Sequence, residues 1–223
     1  QNGNEVVVVV SAMGDTTDLL ADRARVLGGK PSPREMDALI TTGEQQSAAL
    51  LVMTMESLGI PAVSLAGWQA GIYTDCRYGD SDIRLIAPVR IREALSRGRV
   101  PVVTGFQGVC AAGDITSLGR GGSDTTAVAL AAALESDCCE IYTDVDGIYT
   151  ADPRLIPDAV KLGAIDYRDM LALAEAGSQV LHAKSVELAM ANSVVIHLLS
   201  SFTDVPGSQV RALRDGSRPD FAG

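Results

Sequence analysis

The sequence lacks the features of several common classes of protein. Basic residues are few: 18 lysines and arginines stand against 28 aspartates and glutamates, so the net charge is −10. A general nucleic-acid binder is therefore excluded, because phosphate backbones are bound by basic faces, although a local cationic pocket for a small phosphate is still allowed. The longest apolar runs, residues 6–10 and 127–134, are far shorter than the ~20 residues that cross a bilayer. No basic segment precedes the first run, which argues against a signal peptide.

Imidazole and thiol groups are also scarce. The two histidines are His182 and His197, and the four cysteines include an adjacent pair, Cys138 and Cys139, whose spacing does not suit a metal site. We therefore predict no zinc site. The cysteines are expected to be free, small, buried side chains, which is typical of a reducing, cytosolic compartment. No Ser-His-Asp or Cys-His arrangement stands out, so His182 is expected to be structural.

Apolar residues are plentiful, at 47% of the chain. They lie in short continuous runs typical of strands, which alternate with segments of helical spacing. Strands are predicted by apolar, often β-branched runs at residues 5–11, 61–65, 83–86, 100–104, 140–143 and 194–200. Helical spacing between most of these runs indicates an α/β protein, a three-layer αβα sandwich with a mainly parallel central sheet. In such sheets ligands bind beyond the carboxyl ends of strands. We expect one domain, residues 1–205, and a polar, poorly ordered tail, residues 206–223.

The strongest local signal is a glycine-rich loop, residues 119–124, which reads Gly-Arg-Gly-Gly-Ser-Asp and precedes a predicted helix from Thr125. Glycines let the backbone approach a phosphate, the first amides of a helix point at it, and Arg120 adds a planar fork for a carboxylate or phosphate. The loop is neither a Walker A nor a Gly-x-Gly-x-x-Gly sequence. Taken alone, it suits a tight turn equally well, with Asp124 or Thr125 as the helix cap.

Three further loops carry polar groups that chemistry could use. Residues 11–17 suit either a substrate wall or a capped helix start. Glu44 lies at a break in a helical stretch, where the helix dipole favours a carboxylate, and it could instead face a cationic group such as an amine. The third loop, residues 143–154, suits a nucleotide, with ring packing from Tyr149, ribose contacts from Asp144 and phosphate charge from Arg154. The alternative for this loop is an acidic surface segment held by Asx turns.

Taken together, these loops resemble the aspartate kinase branch of the amino acid kinase family. The matching stretches cover nearly the whole chain in the family's order, at residues 9–14, 41–45, 66–71, 103–108, 118–126, 142–154 and 180–187. The resemblance implies an amino acid kinase-like fold and transfer of the γ-phosphoryl group of MgATP to the β-carboxylate of L-aspartate. The product would be 4-phospho-L-aspartate, on the route to lysine, threonine and methionine. The resemblance also implies a cytoplasmic homodimer, with Mg²⁺ held mainly by the nucleotide phosphates.

The same resemblance implies roles for individual residues. Glu44 would bind the α-amino group of aspartate, and Arg120 would bind its α-carboxylate. Asp124 would orient the substrate and the phosphate-binding groups, and it forms the predicted catalytic set together with Arg120. The other predicted substrate-binding residues are Ser11, Thr17, Phe106, Gly121, Gly122 and Ser123. ATP is predicted to contact Thr143, Asp144, Tyr149 and Arg154.

The family pattern also contains parts that these 223 residues do not. It opens with a strand and a Lys-Phe-Gly-Gly-Thr/Ser loop, whose lysine stabilises charge on the transferred phosphoryl group, and it usually includes regulatory ACT domains. We therefore expect no feedback inhibition through ACT domains in this chain. Gln179 stands where many relatives carry a nucleotide-side lysine. Two alternatives remain beside the kinase: a shortened, non-catalytic or regulatory paralogue that binds nucleotide or amino acid, and an amino acid kinase acting on another carboxylate.

Overall fold

The computed structural model describes residues 3–178 and 180–213. The chain divides into two compact units, Gln1–Thr126 and Ala127–Gly223, and the division falls within one helix. The predicted domain of residues 1–205 therefore includes parts of both units. Gln179 lies outside the described residues. Within the described parts of the chain, no helix is long and apolar enough to cross a membrane.

The first unit contains seven of the described strands. They are β1 (Val8–Val10), β2 (Ala62–Leu65), β3 (Ile72–Thr74), β4 (Ile83–Ile86), β5 (Val100–Thr104), β6 (Gln107–Cys110) and β7 (Ile115–Ser117). The helices are α1 (Thr16–Val26), α2 (Pro33–Ile40), α3 (Thr42–Ser57) and α4 (Val89–Ser96), and α5 (Gly122–Leu134) begins in this unit. Strands β1, β5 and β2 form a parallel sheet in that order, and a second sheet has the order β4-β3-β6-β7.

Strand β5 is the centre of the parallel sheet. All five of its residues are buried, which requires cover on both faces, and both α3 and α4 contact it. This explains its uninterrupted apolar sequence, which is typical of a parallel strand with helices on both sides. The carboxyl end of β5 is followed directly by Gly105 and Phe106, so the strand fixes the position of that turn.

Local signals account for the break between α2 and α3. Ser32 caps α2, because its hydroxyl accepts a hydrogen bond from the backbone N–H of Glu35 at 3.3 Å. Thr41 ends α2 and precedes α3, and its hydroxyl donates to the carbonyl of Asp37 at 2.7 Å. The predicted interruption at residues 41–44 is confirmed only at Thr41, because α3 begins at Thr42 rather than at about Glu44, and Glu44 lies in its first turn.

The second unit contains the remaining described elements. They are β8 (Cys139–Thr143), β9 (Ile148–Tyr149), β10 (Lys161–Leu162), β11 (Ala164–Ile165), α6 (Tyr167–Glu175), α7 (Ala183–Asn192), β12 (Ile196–Ser200) and β13 (Ser208–Val210). The main sheet has the order β11-β13-β12-β8, and β9 and β10 form a separate antiparallel ribbon. The core of the second unit is built from the main sheet, α6 and α7, and Ile165, Met170 and Leu198 are fully buried in it.

The predicted α/β class with mainly parallel pairing is confirmed. In the described residues five of the nine strand pairings are parallel, including both pairings of the β1-β5-β2 sheet. Several boundaries differ from the prediction, and the one that bears on the glycine-rich loop is the start of α5, which lies at Gly122 rather than at Thr125. Glycine, serine and aspartate therefore form the first turn of that helix instead of the end of the loop.

The prediction of a poorly ordered tail after Pro206 is wrong for Ser208–Val210. These residues form β13 between β12 and β11, and Ser208 and Val210 are buried. The Ser208 hydroxyl donates to the carbonyl of Leu162 at 2.5 Å and accepts from the N–H of Ile148 at 2.8 Å. Three residues in a polar setting are too short to show a strand periodicity, so the sequence pattern missed them. Residues 214–223 lie outside the described residues.

The prediction of four free cysteines is also wrong. Cys76 and Cys110 form a disulfide with a Cα–Cα distance of 5.2 Å, while Cys138 and Cys139 are thiols outside any disulfide. The bridge joins the segment after β3 to the last residue of β6, where these two strands pair in parallel. Pairing of distant cysteines depends on the fold rather than on their spacing. Thiol usage therefore no longer supports the cytosolic location drawn from it.

Reduction of this disulfide is expected to destabilise the protein by about 2–4 kcal/mol, because a cross-link across 34 residues restricts the unfolded chain. Urea unfolding with and without a reductant measures the change. The double variant Cys76→Ser with Cys110→Ala should unfold like the reduced protein and should not respond to reductant. Cys138→Ser serves as the control and should respond as the wild type does. Four reactive thiols in unfolded, unreduced protein would contradict the bridge.

Candidate active site

A cavity of about 320 Å³ lies in the first unit, beyond the carboxyl ends of β1 and β5. Its lining residues are Ser11, Thr17, Glu44, Phe106, Gly119, Arg120, Gly121, Gly122, Ser123 and Asp124. The structure thus brings the predicted substrate-binding residues and Asp124 together around one space. Gly119 is the one lining residue that was not among the predicted site residues. The individual roles of these residues stay predictions.

Glu44 supplies a buried carboxylate to this cavity. Its side chain is only 3% exposed, and its Oε1 accepts a hydrogen bond from the backbone N–H of Ala12 at 3.2 Å. Its Oε2 is buried and has no hydrogen-bond partner in the described part of the chain. Burial raises the pKa of Glu44 from 4.5 to about 7, against the opposing effect of two backbone N–H groups. A buried oxygen without a partner favours the binding of a cation or donor.

The stability of the protein is expected to fall as the pH rises from 4.5 to about 7, and to level off above that range. The Glu44 carboxyl stays protonated in the folded protein over this range but ionises in the unfolded chain, so the unfolded state holds fewer protons. The fall attributable to this group is up to about 3 kcal/mol. Urea unfolding at pH 5 and pH 8 checks this, with Glu44→Gln losing this part of the fall. An equal fall in wild type and Glu44→Gln would contradict the assignment.

The turn after β5 and the start of α5 are in close contact. Phe106 has a φ of 67°, which is strained for a bulky residue, and its N–H donates to the Thr126 hydroxyl at 3.1 Å. A Cβ on Gly122 would lie 2.8 Å from Cδ2 of Phe106, and a Cβ on Gly105 would lie 2.7 Å from the Ser123 hydroxyl oxygen. Only glycine fits at both positions, so the two segments are packed against each other through their backbones.

The first turn of α5 lines one side of the cavity. Because the helix begins at Gly122, the residues Ser123 and Asp124 lie in its first turn, where backbone N–H groups and the helix dipole favour negative charge. Arg120 is exposed in the loop just before the helix and adds a guanidinium. The cavity therefore combines one buried carboxylate with one cation and a helix N-terminus. Such a set of groups is complementary to an amino acid that carries both an ammonium and carboxylates.

The buried carboxylate of Asp37 holds the segment that leads into the glycine-rich loop. The sequence analysis did not single out this residue. It lies in α2 and is 1% exposed. Its Oδ2 accepts hydrogen bonds from the N–H groups of Gly79 and Ser117, each at 2.9 Å, and its Oδ1 accepts from the Ser117 hydroxyl at 2.8 Å. Ser117 ends β7, two residues before Gly119, so this carboxylate fixes where the loop begins. An acidic residue in the middle of a helix gives no sequence signal for such a role.

Asp37→Asn is expected to destabilise the protein by about 2 kcal/mol, because the amide replaces charge-assisted hydrogen bonds to two buried N–H groups by weaker neutral ones and no longer accepts from the Ser117 hydroxyl at the second position. It should also weaken ligand binding in the cavity, since the start of the loop is no longer held. Urea unfolding measures the first effect and calorimetry with L-aspartate the second. The control Asp18→Asn, on an exposed turn of α1, should change neither quantity. Wild-type stability in Asp37→Asn would refute this account.

The residues predicted to contact a nucleotide lie in the second unit, at the last residue of β8 and in the segment that follows it. The Thr143 hydroxyl donates to Oδ1 of Asp144 at 3.1 Å. The guanidinium of Arg154 forms hydrogen bonds with both oxygens of Asp152, the shortest at 2.8 Å, and this pairing raises the pKa of Arg154. Asp144 therefore accepts a hydrogen bond from Thr143 and also adds to the negative charge around Arg154.

Tyr149 has a neighbouring cation that the sequence analysis missed. Its hydroxyl donates to Asp146 at 3.0 Å, and Lys161 lies opposite Tyr149 in the β9–β10 ribbon. The Lys161 ammonium contacts Asp146 at 3.3 Å and donates to the carbonyl of Pro206 at 2.6 Å. Twelve residues separate Tyr149 from Lys161 along the chain. Only the pairing of the two strands reveals that they are neighbours.

The model of the amino acid kinase family matches residues 1–200 of the chain. This chain belongs to the amino acid kinase family. Among curated proteins, this amino acid kinase is similar to the aspartokinase of Mycolicibacterium smegmatis, with 54% identity over 210 residues, 94% of this chain and 50% of that protein. It is also similar to the aspartokinase of Thermus thermophilus, with 53% identity over 211 residues, 95% of this chain and 52% of that protein. The chain spans about half the length of these curated relatives.

Solved structures of the amino acid kinase family show the same fold. Aspartate kinase from Synechocystis has a TM-score of 0.83 and 47% identity, and the match covers 95% of this chain and 35% of that one. Aspartokinase III of E. coli, solved in complex with aspartate and ADP, has a TM-score of 0.79 and 29% identity, covering 91% and 45% of the two chains. An isopentenyl phosphate kinase, at 21% identity and a TM-score of 0.62, shares the fold alone.

Proposed function

We propose that this chain is the catalytic part of an aspartate kinase, which transfers the γ-phosphoryl group of ATP to the β-carboxylate of L-aspartate. The observation that carries this proposal is the buried Glu44, with its unpartnered Oε2, in the same cavity as Arg120 and the N-terminus of α5. An α-amino acid has the ammonium and carboxylates that these groups complement. The similarity to curated aspartokinases and to a relative solved with aspartate and ADP supports the same substrates.

In the proposed reaction the chain mainly positions the substrate and neutralises charge. Glu44 holds the ammonium of aspartate and Arg120 its α-carboxylate, so the β-carboxylate is left facing the first turn of α5. An oxygen of this carboxylate forms the new bond to the γ-phosphorus while the bond to the ADP oxygen breaks, and ADP leaves with that electron pair. The backbone N–H of Ser123 orients the reacting carboxylate, and Gly121 and Gly122 let the backbone approach it closely. Asp124 orients the substrate and the phosphate-binding groups.

The nucleotide half of the proposal rests on the loop after β8. Asp144 is exposed and offers a carboxylate to ribose hydroxyls, Tyr149 offers a half-buried ring, and Arg154 offers an exposed guanidinium to phosphate. Thr143 adds a hydroxyl beside Asp144. These donors and acceptors fit ATP. Mg²⁺ would enter with the nucleotide and be held mainly by phosphate oxygens, which is its usual mode of binding in kinases.

Two measurements on the same sample test this function. The first traps acyl phosphate with hydroxylamine in the presence of MgATP and L-aspartate, and the second measures binding of each ligand by calorimetry. Succinate, which lacks the ammonium, and β-alanine, which lacks the α-carboxylate, serve as matched controls. We expect hydroxamate with aspartate alone. Binding of aspartate and ATP without hydroxamate would favour a non-catalytic paralogue, and hydroxamate with a different carboxylate would favour another acceptor. Failure to bind either aspartate or ATP would overturn the proposal.

Two further parts of the proposal concern the protein as a whole. We propose that it works as a homodimer in the cytoplasm, as the resemblance implies, with residues 1–205 supplying the catalytic machinery. Sedimentation velocity at micromolar concentration tests the dimer. A monomer that still binds aspartate and ATP would remove the homodimer from the proposal without affecting the reaction.

A further inference from the structure

The second unit carries a cluster of side chains that the proposed reaction does not use. Cys138 lies just before β8, Glu140 lies on β8, and His197 lies on the neighbouring strand β12. One ligand atom from each, the thiol sulfur, a carboxylate oxygen and an imidazole nitrogen, lies within 4.8 Å of the other two. The thiol is free, Glu140 is exposed, and Cys138 and His197 are half-buried, so the cluster can be reached from solvent.

Strand geometry brings these three groups together. Cys138 and Glu140 are two residues apart, so their side chains point to the same face of the sheet. Glu140 and His197 are direct partners in the parallel pairing of β8 with β12. The intervening residue Cys139 and its neighbour Ile141 point the other way and are buried in the core of the unit. The backbone beneath the cluster is therefore fixed by packing, while the three side chains retain freedom at the surface.

We propose that Cys138, Glu140 and His197 form a binding site for one Zn²⁺ ion, with the fourth coordination position open to water. A thiolate, an imidazole and a carboxylate are the three ligand types that zinc takes in proteins, at about 2.3, 2.0 and 2.0–2.2 Å. Tetrahedral bonds of these lengths place the ligand atoms roughly 3.3–3.8 Å apart. Small rotations of the three side chains would bring the ligand atoms, which now lie within 4.8 Å of one another, to these shorter distances. The mixed soft and intermediate donor set disfavours Mg²⁺ and Ca²⁺, which prefer oxygen ligands alone.

The surroundings of the cluster support a cation. The hydroxyl of Tyr142 donates to Oε2 of Glu140 at 3.0 Å, which orients the carboxylate in the way that outer partners orient metal ligands. Asp137 is exposed beside Cys138 and adds negative charge. The sequence spacing argued against a metal site because Cys138 and Cys139 are adjacent. That argument considered one strand alone, whereas the imidazole comes from a strand 57 residues further along the chain.

The site is separate from the loop proposed to bind the nucleotide. Cys138 precedes β8, whereas Thr143 ends it and Asp144 follows it. Six residues of extended chain span roughly 20 Å. The Zn²⁺ site would therefore lie at the amino end of β8 and would not be the Mg²⁺ that accompanies ATP.

Titration of the purified full chain with CoCl₂ and with ZnCl₂ tests the site. Co²⁺ should give a sulfur-to-metal charge-transfer absorption and the visible bands of a tetrahedral site, with one equivalent bound, and Zn²⁺ should displace it. Cys138→Ser and His197→Asn should each weaken Zn²⁺ binding by at least about 100-fold, more than the roughly 10–100-fold cost of losing an outer partner. Circular dichroism of each variant establishes that it is folded.

Matched controls separate this site from adventitious binding. Cys139→Ala removes the neighbouring thiol on the opposite face of β8, and His182→Asn removes the other imidazole. Both should retain wild-type Zn²⁺ affinity and the Co²⁺ charge-transfer band. The proposal is overturned if the wild type binds Zn²⁺ no more tightly than folded Cys138→Ser and His197→Asn, or if bound Co²⁺ shows no sulfur ligand. Neither readout depends on kinase activity, so these experiments test the Zn²⁺ site independently of the proposed function.

Discussion

Replacing Glu44 with glutamine is expected to weaken the binding of L-aspartate by about 100-fold, because loss of one partner from a buried charge pair typically costs 2–5 kcal/mol. Glutamine has nearly the same size and keeps an oxygen for the N–H of Ala12, but it cannot neutralise an ammonium. The affinity should also depend on pH in the wild type. Burial raises the pKa of Glu44 to about 7, so wild-type affinity should fall below that pH, where the carboxyl is protonated, and level off above it.

Calorimetry across pH 6–8 measures both effects, with Glu56→Gln as the control. Glu56 lies in the same helix but is exposed, so its variant should bind aspartate as the wild type does. A comparison of aspartate with succinate tests whether Glu44 binds the ammonium group. Succinate lacks the ammonium, so it should bind wild type and Glu44→Gln with similar affinity, whereas aspartate should discriminate between them. Equal affinities of the two proteins for aspartate at pH 8 would remove Glu44 from the substrate site.

Replacing Arg120 with alanine is expected to lower kcat/KM for aspartate by about 1,000-fold. A bidentate guanidinium–carboxylate pair both binds the ligand and fixes its orientation, and misplacement of the reacting group adds its own cost. Arg120→Lys should recover only part of the loss, because a lysine ammonium carries the charge without the planar fork. The hydroxamate assay measures kcat/KM, and calorimetry gives the share of the loss that lies in binding.

β-Alanine distinguishes the role of Arg120 from that of Glu44. It keeps the ammonium and the reacting carboxylate but lacks the α-carboxylate, so wild type and Arg120→Ala should bind it with similar, weak affinity. Glu44→Gln should weaken β-alanine further. Arg97→Ala, on the exposed end of α4, is a control for loss of one positive charge and should change neither ligand. Loss of β-alanine binding in Arg120→Ala would show that the arginine acts elsewhere.

Much of the fold could be read from local pattern, because the decisive signals are short in range. The apolar run of β5 and the break in the helical stretch before Glu44 are set by residues close in sequence, and the structure confirms both. The proximity of Ser11 and Phe106 could be expected once β1 and β5 were taken as parallel neighbours, since the carboxyl ends of such strands meet at one edge. Glu44 lies in a helix and Arg120 follows an antiparallel strand, so their place in the cavity depends on the tertiary fold. The resemblance added the roles of these residues, which periodicity does not contain.

The rest depends on contacts between segments distant in sequence. The disulfide pairs Cys76 with Cys110 only because β3 and β6 are neighbours, and the burial of Asp37 beneath the glycine-rich loop follows from the packing of α2 against β7. Strand β13 is three residues long and polar on one side, so its order comes from the partners it meets. The earlier start of α5 reflects tertiary placement of glycines, whose intrinsic helix propensity is poor.

The contact between the turn after β5 and the start of α5 constrains how the cavity can be altered, by mutation or in evolution. Each of these segments fills the space that a side chain on the other's glycine would need. We call these two segments the two walls of the contact. A larger residue at Gly105 or Gly122 is therefore accommodated only if the facing wall moves away at the same time. Libraries that vary one wall alone should yield mostly misfolded proteins, whereas joint variation of both walls, or exchange of both as a single cassette between relatives, keeps their fit. Changes of acceptor preference are thus expected to arise by paired rather than single substitutions here.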